Sequence, residues 1–529
     1  MSESLITADP NISPDIYPRG WFRFFEILPG AFVWTAILLP FLLSYIFPLG
    51  VTVFIIVFDI YWLIQAFNYG FVLIRGYLRM RHNLQVNWQA SLDRLLQLSP
   101  EEREARGVID WRDLYHVVIF PCYREEVETL EASLDSILRC GYPPERIWIV
   151  LATEGRDQEN GRELARRITE KYGTVFFRFL HTEHPDGITG EVKGKGANAT
   201  WAAKELVRQV RELKIPLDRI IVTTADADTR FDQRYFLALT FAYATLPNRV
   251  HCSFQPIATF FNNIWETSIF SRVLAFGDTF WTMIESVRSY RLITFSTHAV
   301  SLQTLVDINY WCTSIVNEDS RQYFRAYFHY KGDFRVVPLF IPIYMDAVSS
   351  DTLLGTLQSL YLQKQRWAYG VEHFPYIVME CYRQKTIPFL NRFMLVWRAF
   401  QGAFTWFTSS FFLSVVGWLP ILLNSSFRDQ VVVSNFVIVT NEILSLTWIG
   451  LIISSIITIR ILAIIPHKRR VFDWFIMIIQ WVLMPVSGIL FSALPGLHAQ
   501  TRLMLGKYLG FRVTQKSGHH PASEVKSAT

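Results

Sequence analysis

Predominantly apolar residues run from about Ile27 to Leu49 and again from Val51 to about Ile74. Each run meets the roughly 20 residues that a helix needs to cross the hydrocarbon core of a bilayer. Pro48-Leu49-Gly50 reads as a tight turn between them. Residues 27–77 are therefore predicted to form a transmembrane helical hairpin behind a polar, cytoplasmic segment, 1–26. Asp59 and Gln65, inside the second run, are expected to face protein or an aqueous path rather than lipid. In the connector that follows, 78–110, Leu84, Trp88, Leu92, Leu95 and Leu96 recur at helical spacing. That periodicity predicts an amphipathic helix lying on the membrane surface or on the next domain.

Between residues 111 and 385 the pattern changes to short apolar runs alternating with helical stretches. His116–Phe120 precedes a helix over 125–139, Arg146–Ala152 one over 159–172, and Thr174–Leu180 one near 197–213. Ile220–Thr224 and His251–Gln255 complete the series. Such alternation predicts right-handed βαβ units, hence an α/β domain with a mostly parallel sheet inserted between transmembrane helices. Its first turns carry no Gly-x-Gly-x-x-Gly, and no Gly-Lys-Ser/Thr loop occurs, which disfavours a dinucleotide fold and a P-loop.

Apolar character returns over 386–500. Phe389–Phe400 reads as an interfacial helix with Arg392 and Arg398, followed by spans over about 403–423 and 436–465 and a last block over 471–494. Arg19 and Arg23 precede the first span, Arg75, Arg79, Arg81 and His82 follow the second, and Pro466-His-Lys-Arg-Arg470 is strongly basic. The positive-inside rule places all three stretches in the cytoplasm. The basic tail, 501–529, with Arg502, Lys507, Arg512 and Lys516, is expected there too. A single crossing by the last block would put the tail outside. Pro485-Val-Ser-Gly488 is therefore expected to break that block into two short arms that return to one face.

Composition narrows the class. A content of 51% hydrophobic and 15% aromatic residues over 529 fits a multi-pass protein of a plasma or bacterial inner membrane, in contact with membrane lipids. The net charge of +5 comes with no run of like charge suited to nucleic acid, so no nucleic-acid partner is expected. Cys122, Cys140, Cys252, Cys312 and Cys381 are scattered, with no Cys-x-x-Cys, which argues against a disulfide framework or a zinc site. The polar opening, with Pro10, Pro14 and Pro18, does not read as a signal peptide.

Candidate chemistry centres on the strand Ile220–Thr224, which runs into Ala225-Asp226-Ala227-Asp228. Open α/β sheets bind ligands outside the carboxyl ends of their strands. Two carboxylates there can hold a hard divalent cation against a phosphate, although the same pattern also serves as a turn and helix N-cap. Four further polar sets flank it. Pro121-Cys-Tyr-Arg-Glu125 follows the first strand, and Lys193-Gly-Lys-Gly-Ala-Asn198 opens a helix, a natural place for anionic phosphate. Asn317-Glu-Asp319 and Gln363-Lys-Gln-Arg-Trp367 come later. Gln363, Arg366 and Trp367 sit at i, i+3 and i+4 of a helix starting near Thr352, away from the stripe Leu353, Leu357 and Leu360.

This ordered set between two membrane blocks resembles the membrane-integrated family 2 inverting glycosyltransferases, the group of the cellulose and hyaluronan synthases. Phe511-Arg-Val-Thr-Gln-Lys516 resembles the close of many bacterial members. The resemblance implies a GT-A-like nucleotide-sugar-binding domain and an Mg2+ or Mn2+ cofactor held by Asp228, with Asp226 on the donor. It also implies Asp319 as the general base, although acids at a helix N-terminus also answer the helix dipole. Lys195, Gln363 and Arg366 are then expected on the donor diphosphate and Trp367 on the acceptor; a snorkelling Arg and an interfacial Trp are the plainer alternative. The sequence departs from the family in two places. Glu154 stands where relatives carry an Asp pair contacting the base, and Asn317 replaces a Thr. Lys193 reads equally as a solvated turn, and His298 equally as a packed turn residue.

The expected activity is inverting transfer from a nucleoside-diphosphate sugar to a growing polysaccharide at the cytoplasmic membrane face. Single-sugar transfer to a lipid-linked acceptor is the alternative within enzymes. A non-catalytic scaffold or transporter with a sugar-nucleotide domain is the alternative outside them.

Overall fold

A computed structural model describes residues 18–462 and 471–510. The basic run 466–470, the tail positions Arg512 and Lys516, and the motif 511–516 lie outside the described residues.

The pleat of two central strands explains the architecture. In β1 (Tyr115–Pro121), Val118 and Phe120 enter one core while Val117 and Ile119 enter another. In β2 (Ile147–Glu154), Ile149 and Leu151 divide from Trp148 and Val150 in the same way. Successive side chains of a strand point to opposite faces, so an unbroken apolar run is stable only where helices cover both. Helices Val127–Leu138, Gln158–Tyr172 and Tyr235–Thr245 cover one face; Lys195–Glu212, Glu318–His329 and His373–Arg383 cover the other.

The remaining strands are β3 (Arg178–His184), β4 (Ile220–Thr224), β5 (Arg230–Phe231), β6 (Cys252–Thr259), β7 (His298–Ser301) and β8 (Arg335–Tyr344). Among the described residues all eight form one sheet in the order β3-β2-β1-β4-β7-β6-β8-β5. Pairings among β3, β2, β1 and β4 are parallel, as is β6 with β8; β7 runs antiparallel to β4 and β6, and β5 to β8. The fold class is the expected one, a mostly parallel α/β sheet placed between membrane helices in sequence. The β5, β7 and β8 half was not predicted. β7 has four residues, and Pro338 and Pro342 interrupt β8 with the residue type that normally rules out a strand interior.

Three helices among the described residues are long and apolar enough to cross a membrane: Arg19–Ile46, Pro48–Asn83 and Phe472–Met504. Helix Phe389–Ser414, bent by 42° onto Val416–Leu423, makes a fourth path. Helix Val431–Leu462, 32 residues long, packs along the second. The break between the first two helices falls at Phe47. Pro48, Leu49 and Gly50 form the first turn of the second helix rather than a separate turn, because proline at the first helical position gives up an amide that has no partner there. Asp59 is buried, as expected. The connector helix Trp88–Leu96 lies on the α/β domain, with Trp88 5.6 Å from the Phe241 ring.

Two expectations for the C-terminal part are corrected. The interfacial stretch 389–400 and the span after it are one continuous helix to Ser414. The block from Phe472 does not fold into two arms; it runs on to Met504. A 3-10 turn at Gln480–Leu483 and a π turn at Ile489–Ala493 carry it past Pro485 and Pro495, accommodating their missing amide donors without a reversal. Along its length this run touches the α/β domain. Trp474 meets Trp265, Trp481 stacks on Phe280, Phe491 meets Phe270, and Tyr361 shares a hydrogen bond with His498. Its far end is tied to the start of the first helix, where Arg23 donates to the carbonyls of Leu503 and Met504.

Candidate active site

The Asp226-Ala-Asp228 loop leaves β4 at the carboxyl end of the parallel half. Ala225 N donates to Ile119 O and Ser133 Oγ to Ala227 O, which pins the loop to β1 and to helix Val127–Leu138. The next long helix starts at Tyr235 behind Arg234, so neither acid caps it. Asp226 instead pairs with Lys195 Nζ at 2.8 Å, and Asp228 Oδ2 accepts from the backbone N of Asp346 at 2.9 Å. Asn262 Nδ2 joins this group, donating to Asp346 Oδ1 and to Asp228 O.

Lys195 opens helix Lys195–Glu212, which the Gly-rich turn brings close to the chain around residue 318. A Cβ at Gly196 would sit 2.7 Å from Cys312 O and 2.9 Å from Glu318 Cβ, so only glycine permits that approach. Asn198 donates to Ala152 O at 2.7 Å and ties the helix to the end of β2.

Asp319 is the second residue of helix Glu318–His329. Its Oδ2 accepts from Ser296 N at 2.7 Å and its Oδ1 from Ser320 N at 2.8 Å. Ser296 holds a left-handed φ of 49°, rare for a side chain with a Cβ, and its hydroxyl also reaches Asp226 at 3.4 Å. One strained residue thus bridges the two acids. Glu318 beside them is buried, and burial first, then Asp319, pushes its carboxyl up to about 8.

Helix Leu353–Ala368 is capped by Thr352, whose hydroxyl accepts from Gly355 N. Leu357 and Leu360 of its apolar stripe pack with Leu274 and Phe491. Asn317 does not cap its own helix with its side chain; its amide reaches across to Arg366 O at 3.1 Å. Beneath this crossing Arg321 Nε donates to His373 Nδ1, which leaves the ring proton on Nε2 to donate to Ser320 Oγ at 3.0 Å. Lys364, one position on from Gln363, is in an ion pair with Asp278 and lies 4.3 Å from the centre of the Trp367 ring.

Glu154 closes β2, buried and paired with Arg156, whose guanidinium lies 3.9 Å from the centre of the Tyr123 ring. Lys193 pairs with Asp186 on the surface and stays out of the cavity. His298 is buried in β7 between Ser296 O and Gln322.

One cavity of about 1430 Å³ is lined by Glu154, Lys195, Asp226, Asp228, Asp319, Gln363, Arg366 and Trp367 together. Tyr123, Glu318 and Lys364, inside the motifs named above but given no role there, line it too, as do Ser296 and Asp346. Asp346 follows a strand that its prolines disguise, and Ser296 is marked only by its backbone. The cavity continues to Trp406, Ser410 and Gly488 on the membrane helices. No group of three His, Cys, Asp or Glu is preassembled for a metal among the described residues. The donors on the wall are nevertheless the carboxylates of Asp228, Asp226 and Asp346. That all-oxygen set fits Mg2+ or Mn2+, hard cations that take one or two carboxylates and complete their shells with water and phosphate oxygens.

No family model matches the chain. Over 85 residues, 16% of the chain, it is 41% identical to chitin synthase 6 of Gibberella zeae, and over 57 residues, 11% of the chain, 42% identical to chitin synthase 7 of Verticillium dahliae. Those matches span 10% and 8% of the two fungal proteins, so the chain spans only about a tenth of the length of these relatives. The resemblance read from the ordered motifs agrees with these local matches. Among solved structures, the mannosyltransferase PcManGT from Pyrobaculum calidifontis, in complex with GDP-Man and Mn2+, aligns with 82% of this chain and 99% of its own at a TM-score of 0.38 and 14% identity. S. aureus TarS 1-349 in complex with UDP-GlcNAc aligns with 59% of this chain and 84% of its own, at 0.31 and 14%.

Proposed function

We propose that the chain is a membrane-integrated, inverting glycosyltransferase of the family 2 type, moving a sugar from a nucleoside-diphosphate donor to a growing polysaccharide on the cytoplasmic face. The observation that carries this reading is that one cavity gathers the assigned residues. It joins the acids at the end of β4, the acid of helix Glu318–His329 and the Gln363–Trp367 face, and it continues among the membrane helices. The acceptor hydroxyl oxygen attacks the anomeric carbon from the side opposite the departing diphosphate. The new C–O bond forms as the bond to the diphosphate oxygen breaks, and the electron pair leaves with the diphosphate.

Asp319 takes the hydroxyl proton on Oδ2, which accepts from one amide, Ser296 N, whereas Oδ1 accepts from both Ser320 N and Ser320 Oγ. Lys195 and Arg366 balance the charge gathering on the diphosphate. A divalent cation held by Asp228, with Asp226 and Asp346 beside it, supplies further neutralisation of that leaving group when bound. Trp367, fixed by the Lys364–Asp278 pair behind it, offers an indole face to the acceptor sugar. Glu154 and Tyr123 face the donor from the end of β2 and the loop after β1.

The test is a donor screen on membranes, reading released nucleoside diphosphate and product length. Asp319→Asn is expected to lower turnover by about 100- to 10,000-fold while donor binding survives, and chelation by EDTA to abolish turnover until Mn2+ is restored. Unchanged turnover in Asp319→Asn sinks the assigned base, and indifference to EDTA sinks the metal. Products of one sugar on a lipid replace the polymer reading with single transfer.

A further inference from the structure

The last turns of helix Pro48–Asn83 meet the end of helix Val431–Leu462. There Tyr77, Leu78, Arg81 and His82 of the first, Gln85 just past its end and Arg460 of the second line a hollow of about 420 Å³ separate from the large cavity. Tyr77 and Arg81 share one face of the helix, four residues apart.

The charges in it are unbalanced. Arg81 donates to the Tyr77 hydroxyl at 3.2 Å, and among the described residues neither Arg81, His82 nor Arg460 is in an ion pair. Exposed arginines on the α/β domain are placed differently: Arg162, Arg166 and Arg208 each hold a glutamate. Like charges brought to one hollow repel, and an anion seated between them reverses the sign of that interaction. The position identifies the anion. Just beyond the hollow Asn83 is tied to the sheet through Leu339 O, and just before it Phe71, Ile74 and Leu78 are exposed apolar side chains. The hollow therefore lies at the boundary between the apolar layer and the α/β domain, at the depth of lipid headgroups.

We propose that this hollow seats the phosphate of an anionic phospholipid headgroup. Arg81 and Arg460 supply the paired cations, Gln85 and Tyr77 neutral donors, and Leu78 faces the chain side of the lipid. The shared chemistry is a phosphate oxyanion, which inorganic phosphate also offers, so the experiment separates the two sources.

The full chain in nonionic detergent is titrated with phosphatidylglycerol or phosphatidylcholine, and bound lipid is counted by native mass spectrometry. The expected result is a preference for phosphatidylglycerol that falls about fivefold in Arg81→Gln and as much again in Arg81→Gln/Arg460→Gln. Arg75→Gln/Arg79→Gln removes the same charge from arginines that lie over Phe71 and Phe340 instead, and is expected to keep the preference. A large excess of inorganic phosphate should leave the lipid in place. Equal loss in the two double variants reduces the effect to bulk positive charge and overturns the site. Displacement by inorganic phosphate reassigns the hollow to a soluble anion, and no preference in the unaltered chain ends the proposal outright.

Discussion

Glu318 carries the clearest titration among the residues of the cavity. Unfolded, its carboxyl has the ordinary value of 4.5; folded, burial and then Asp319 raise it to about 8 against the pull of Lys195 and Arg366. Between those two pH values the folded state holds a proton that the unfolded state has released, so stability falls as pH rises through this window. The contribution is fully present below about pH 4.5 and gone above about pH 8. Glu318→Gln is expected to flatten that slope and to gain about 2–4 kcal/mol relative to the unaltered chain at pH 8, measured by unfolding at pH 5 and pH 8. Glu372, raised to about 7 by burial, contributes a parallel slope that the variant leaves in place. An unchanged slope in Glu318→Gln means that the carboxyl ionises freely in the folded chain.

At the scale of elements, the helix that starts at Glu318 and the helix that ends at Ala368 are held in register by polar bonds. Asn317 spans from one to Arg366 O on the other, and the buried Arg321 donates from Nε to His373 Nδ1 and from Nη2 to Glu372 O, with the Tyr376 ring 4.2 Å away, while its Nη1 has no hydrogen-bond partner among the described residues. His373→Leu fills the ring's space but offers Arg321 no acceptor, and a buried donor left unpaired costs about 1–3 kcal/mol. Thermal unfolding in detergent is expected to show that loss, and turnover should fall with it because Ser320, the other partner of His373, adjoins Asp319. Stability equal to the unaltered chain means that water replaces the ring and the register lies elsewhere. Asn317 was legible only as a departure from a family's Thr. Its bond to the second helix depends on a separation of 49 residues that no local pattern encodes.

For the whole molecule, the run Phe472–Met504 decides how the chain closes. Length and hydropathy alone allow it to cross a bilayer. It also contacts Trp265, Phe280, Phe270 and Tyr361 of the α/β domain, and Arg23 ties its end beside the start of the first helix. Packing at this junction is close: a Cβ at Gly496 would fall 1.7 Å from the Phe407 ring. The expected topology has both chain ends on the side of the α/β domain, although no break at Pro485 produces it. A reporter fused after Thr529 should be as accessible as one inserted in the α/β domain, from the same side of sealed vesicles. A reporter reached only from the opposite side shows that the run crosses.

The sequence by itself determined what periodicity and covalent chemistry dictate. Apolar length set the membrane helices, a run buried on both faces set β1, β2 and β4, and an ordered set of acids, lysine, arginine and tryptophan marked eight residues that share one cavity. Tertiary structure alone decided the rest. The antiparallel strands β7 and β8 are defined by their partners, since four residues or a strand with two prolines has little preference of its own. Ser296, Asp346 and Lys364 take their places from a strained turn, a strand end and a buried ion pair, and each depends on groups distant in sequence. What the last apolar run packs against was decided by the α/β domain, because hydropathy measures how much a segment avoids water and not what it lies against.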